Sequence, residues 1–136
     1  MVPTRFYFSN AVGSVDFVPH AYVYLHWSGA PLTSGEFRAL YVHVRNLLQR
    51  HKLQAILADH HAMPMVPAAA DQQWLLEQWL PETIAATSLA RYVALPTADP
   101  SRRLHTETVL ESLRRHLQVA VFDDLEKASD WLSVVN

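Results

Sequence analysis

The residues of this chain best suited to chemistry stand together at Asp59-His60-His61. They close the short apolar run Gln54–Asp59, which reads as a strand covered on both faces. Carboxylate and imidazole bind zinc or exchange protons, and open α/β sheets bind ligands at the carboxyl ends of their strands. Adjacent side chains leave an extended backbone on opposite sides, however, so the three do not easily converge on one ion. No H-x-x-x-H or H-E-x-x-H spacing occurs. Three readings stay open: a polar loop, a ligand or partner contact that includes Met63, and a metal or acid–base centre. The other histidines are scattered. His51 reads as packed at the edge of a helical face, and His43 and His116 as solvated. We assign no catalytic residue, metal ligand or cofactor.

Aromatic residues supply the other candidates. Trp79 belongs to an apolar helical stripe, whereas Trp74 lies off it and either covers the loop after Asp59 or meets a partner. Tyr22 and Tyr24 share one face of a strand whose other face is also bulky, and Phe6, Tyr7 and Phe8 crowd the first strand. An aromatic patch left open there predicts a homodimer, with the wall of a ligand cleft as the alternative.

The elements that position these residues follow from hydrophobic period. Thr4–Ser9, Val15–Val18 and Ala21–Trp27 read as strands of an antiparallel meander. A helix follows, with Thr33 and Glu36 spaced as a capping box and Phe37, Leu40, Tyr41, Val44, Leu47 and Leu48 on its inner face. A second helix spans Ala68–Leu80, and Pro81 kinks it or starts another through Ala86. Arg91–Leu95 and Val119–Phe122 read as strands. Helices are expected over Arg103–Leu117, with Thr106 inward and Glu111 pairing with Arg115, and after Asp123 as the cap, with Val135 inward. The expected fold is α/β: a mixed sheet of about six strands, with the antiparallel N-terminal meander followed by βαβαβα. Residues 1–136 are expected to form a single domain.

Composition removes whole classes of function. Cysteine is absent, which excludes a disulfide scaffold, a thiolate zinc site and a cysteine nucleophile. Three glycines are too few for a phosphate loop or a dinucleotide fingerprint. A net charge of −2 offers no general grip on nucleic acid, and Glu107 and Glu111 interrupt the basic strip of Arg102-Arg103 and Arg114-Arg115. No apolar run is long enough to insert in a membrane and no export signal is read, so a cytoplasmic protein is expected.

Three stretches resemble the bacterial STAS-like, SpoIIAA-like proteins. LADHHAMPMVPAAADQQWLLEQWLPETIAATSLARYVALPT (Leu57–Thr97) is similar to their central strand, polar loop and paired-tryptophan helix. VAVFDDLEKASDWL (Val119–Leu132) resembles their closing strand and helix, and HWSGAPLTSGEFRAL (His26–Leu40) their early turn. The resemblance implies an α/β domain like the anti-sigma-factor antagonists, with distant likeness to CRAL-TRIO lipid-transfer domains. It implies a regulatory or protein-interaction domain without chemistry of its own. Small-ligand (lipid-like) binding is the alternative, and a His/Asp-dependent hydrolase or metalloenzyme a further one. Regulatory STAS domains carry a phosphorylated serine after the central strand. Asp59–Ala70 contains no Ser or Thr, so no such switch is expected here.

Overall fold

The computed structural model describes residues 4–97, 99, 100 and 103–133, with the backbone alone at 103–106. The expected inward placement of Thr106 and Val135, and the pair Arg102-Arg103, fall outside the described residues or side chains. The strands β1 (Arg5–Asn10), β2 (Gly13–Val18), β3 (Tyr22–Trp27), β4 (Ala55–Asp59), β5 (Arg91–Leu95) and β6 (Gln118–Val121) form one sheet in sequence order. Pairing is antiparallel from β1 to β3 and parallel from β3 to β6, as the short early connections and later helical crossovers require.

Same-handed crossovers put their helices on one side of a sheet. Here α1 (Ser34–His51), α2 (Ala69–Trp74), a π-helical turn (Leu75–Trp79), α3 (Leu80–Ala86) and α4 (Arg103–Arg114) cover that side. Pro81 stands in the first turn of α3, where its missing N–H costs least, and the wide turn before it keeps Leu75 and Trp79 both inward. Among the described residues the opposite side has one helix, α5 (Leu125–Ser133), packed chiefly on β4 and β5.

Strand alternation sends Val15, Leu25, Ile56 and Ala58 toward the many-helix side, and Val18, Tyr22, Leu57 and Val93 toward α5. Leu57 is fully buried, as expected for a strand covered on both faces. At Gly13 a Cβ would stand 2.6 Å from the His26 carbonyl oxygen and 3.0 Å from Leu40 Cδ1, so α1 approaches β2 here only over a glycine.

Several local expectations change. Thr33 does not cap α1 through a backbone N–H. Its hydroxyl donates to Glu36 Oε1 at 2.8 Å, while Glu36 Oε2 accepts from the Ala11 N–H and ties the helix start to the β1–β2 turn. The α5 cap is Asp124, not Asp123: its Oδ1 accepts from the N–H of Glu126 at 2.7 Å. α4 ends at Arg114, before Leu117, and Arg114, not Arg115, pairs with Glu111.

His43 is packed instead of solvated. A bulge between Phe6 and Phe8 turns successive aromatics toward α1, so Phe8 stacks on the His43 ring at 3.8 Å and Tyr7 meets its edge. His51 is exposed yet stacks on Phe17 at 4.5 Å, and His116 is solvated as expected.

Tyr22 is not on an open patch. It is buried under α5, its hydroxyl 3.0 Å from Ser129 Oγ, because that helix reaches farther across the sheet than the strand pattern suggests. Among the described residues no helix is long and apolar enough to cross a membrane.

Candidate functional site

The end of β4 splits the Asp59-His60-His61 triplet. Asp59 points to the α5 side, where the Tyr24 hydroxyl donates to its Oδ2 at 3.2 Å. Its Oδ1 accepts the backbone N–H of His61 and turns the chain, leaving the His61 side chain exposed. His60 points the other way, beneath α1 and α4. Joint chemistry by the three is therefore closed off, and among the described residues no group of three His, Asp or Glu could hold a metal ion.

His60 sits in a row of hydrogen bonds across the sheet. Trp27 Nε1–H, from the end of β3, donates to His60 Nδ1 at 3.0 Å. His60 Nε2 lies 3.2 Å from the Tyr92 hydroxyl on β5. Beside this row is a half-open cavity of about 50 Å³ between the sheet and helices α1, α2 and α4. Phe37, Tyr41, Met63, Pro67, Leu75, Val109 and Leu110 make its walls largely apolar. Among the described residues its polar groups come from Tyr41, His60, Gln72 and Tyr92. Burial pushes the Tyr92 phenol well above its ordinary range, and the nearby Tyr41 adds to the shift. Burial alone raises Tyr41.

The cavity is roofed by the loop from His61 to Ala68, which carries no Asp, Glu, Lys or Arg. Its far end is clamped by Asp71, which is only 4% exposed. Ser34 Oγ and Arg38 Nε both donate to Asp71 Oδ1, at 2.5 and 2.8 Å, joining the starts of α1 and α2. The Arg38 guanidinium also lies 5.2 Å over the Trp74 ring. Trp74 thus faces an arginine of its own chain, at the flank of the core. Met63 lines the cavity.

A second, wide-open cleft at the carboxyl ends of β4–β6 is bordered by Asp59, His61, Thr97 and Asp123. Tyr24 borders neither cavity. Its half-buried ring stacks on His26, whose Nε2 is 3.0 Å from Asp16 Oδ2, and its pKa is raised by burial and by the charge of Asp59.

Sequence reasoning singled out His60 and Met63 but not Trp27, Tyr41, Tyr92 or Asp71. Strand alternation carried past Asp59 places His60 on the face of Ile56 and Ala58, and the same alternation puts Trp27 and Tyr92 there. That signal was readable. Asp71 had none, because a carboxylate in the first turn of a helix ordinarily faces water. Compared with family models, curated proteins and solved structures, the chain matches none.

Proposed function

We propose that this chain is a non-catalytic, ligand-responsive regulatory domain of STAS-like type, working in the cytoplasm. Its ligand site is the cavity beneath the His61–Ala68 loop. The carrying observation is the meeting of apolar walls with a few convergent polar groups, the usual composition of small-molecule sites. Met63 and Pro67 belong both to the cavity wall and to the loop, so a bound molecule acts directly on the surface a protein partner would read. Met65 and Val66 on that loop are exposed and apolar, which suits such contact.

Native mass spectrometry of protein purified without denaturation tests this reading, with Val109→Phe as the cavity-filling control. A small-molecule adduct carried by the wild type and lost in the variant supports it. Bare protein in both, together with no thermal stabilisation by small apolar compounds, removes it.

A second reading, two-fold association through the sheet edge, is supported by one observation: Phe6 on the edge strand β1 is 68% exposed. Sedimentation at micromolar concentration checks it, and a clean monomer rejects it.

A further inference from the structure

The hydrogen atoms at the cavity floor restrict what can bind there, and the restriction rests on the ligand-site reading above. Trp27 Nε1 can only donate, so His60 Nδ1, 3.0 Å away, must be the unprotonated nitrogen. A neutral imidazole then carries its single proton on Nε2. That N–H donates to the Tyr92 oxygen at 3.2 Å; the reverse direction would leave the ring with no proton at all. Trp27, His60 and Tyr92 therefore all donate in one direction, and the Tyr92 O–H is left to give.

Tyr41 brings a second phenol to the same cavity. It is 3% exposed, and among the described residues nothing accepts its hydroxyl proton. Burial keeps both phenols protonated. The amide nitrogen of Gln72 is already given to the Pro67 carbonyl. Among the described lining residues there is no Lys or Arg, and His60 is neutral while it accepts from Trp27. Among the described residues a carboxylate would enter without a counter-charge, and an ammonium would find only the neutral oxygens of Gln72 and the two phenols with no carboxylate; both lose hydration without full replacement.

We propose that the cavity binds a small uncharged carbonyl compound, a ketone, aldehyde or ester. Its oxygen accepts from the Tyr92 and Tyr41 hydroxyls, and its short hydrocarbon body lies among Phe37, Met63 and Leu75. The volume has room for about three to five water-sized groups, which limits the buried part to a short chain or small ring.

Ligand-observed NMR titrations of the whole chain with 2-butanone, its shape-matched hydrocarbon 2-methyl-1-butene, and butyrate test the assignment. The ketone is expected to bind at least about threefold more tightly than the alkene, the gain one net hydrogen bond gives and two exceed, and butyrate most weakly. The Trp27 indole N–H resonance is expected to move with the ketone, because its acceptor His60 feels the new bond through Tyr92. Tyr41→Phe keeps the ring, removes one of the two donors and should reduce the ketone preference; Tyr92→Phe serves if that variant does not fold. Alkene binding that equals ketone binding in the wild type, butyrate binding most tightly, or a ketone preference undiminished in the folded variant overturns the carbonyl assignment and leaves the ligand site standing. Binding of none of the three overturns both.

Discussion

The two faces of the sheet are built on different principles. The face under α1–α4 buries rings against rings: Trp27 on Phe37 at 5.7 Å, Tyr41 on Trp79 at 5.2 Å. It leaves a small cavity whose polar floor spans three strands. The face under α5 has an aliphatic centre of Val18, Ala55, Leu57, Val93 and Leu132. Beyond the reach of α5, around Asp16 of β2, His26 of β3 and Phe6 of β1, it becomes a half-open surface with the Asp16–His26 pair. The cavity lies among the rings and aliphatic side chains that α1, α2 and α4 bring to one face, whereas the open surface lies where no described helix covers the other.

The sharpest test of this contrast is the aliphatic centre. Leu57 has no exposed surface and belongs to the aliphatic cluster with Val18, Ala55, Val93 and Leu132. Leu57→Ala should cost about 2–5 kcal/mol by urea denaturation. A loss below about 0.5 kcal/mol, the scale of surface changes, would mean that α5 does not close over β4.

Alkali probes the ring-lined face. Tyr41 and Tyr92 have phenol pKa values above those of the unfolded chain, so the native state holds their protons longer. Stability is complete below the unfolded phenol range near pH 10 and is lost as pH rises above it, because ionisation then favours unfolding. Two such groups imply a fall of about 2–3 kcal/mol by pH 11. Tyr24 on the other face adds to the same trend with less burial behind it. The double variant Tyr41→Phe/Tyr92→Phe should flatten most of the slope in a chemical-denaturation series from pH 8 to pH 11. An unchanged slope would place the alkaline sensitivity elsewhere.

Asp71 comes next. Asp71→Ala removes the acceptor shared by Ser34 and Arg38 and frees the end of the cavity loop. Arg38 keeps partial access to water, so the cost should be about 2 kcal/mol, below that of a fully buried pair. Hydrogen exchange should also quicken at the start of α2, at the Asp71 and Gln72 amides bonded to the Ala68 carbonyl. Destabilisation without faster exchange there would argue that the clamp holds α1 alone.

Much of this contrast was legible in the sequence. Period two assigned the strand faces, and the helical stripes identified α1 and the paired-tryptophan segment. What stayed hidden depends on distance between elements. Alternation carries Trp27, His60 and Tyr92 to one face, but only the register of β3, β4 and β5 brings their polar atoms within reach of one another. Tyr22 reads as open because nothing in its strand reports how far a helix about a hundred residues later will extend. His43 reads as solvated because the bulge that turns Tyr7 and Phe8 onto it leaves no compositional mark. The cap moved from Asp123 to Asp124 because both side chains can accept helix-start N–H groups, and local φ/ψ selects between them.

The smallest effect belongs to Phe6, and it separates stability from association. The ring is 68% exposed, so folding of one copy gains little from it. Phe6→Ser should change the unfolding free energy by less than about 0.5 kcal/mol at concentrations where the chain is monomeric. Association behaves differently if β1 edges pair across a two-fold axis, because each ring is then buried by the other copy and burying a phenylalanine contributes about 1.5–3 kcal/mol. The same substitution should then weaken the dimer by more than about tenfold in sedimentation equilibrium. A stability loss above 1 kcal/mol in the monomer, by roughly the scale that marks a core contact, would put Phe6 inside the fold and make the β1–β3 half of the α5 face a closed surface. Unchanged stability with unchanged association would leave the edge pairing without its anchor, and the contrast between the faces would reduce to the cavity alone.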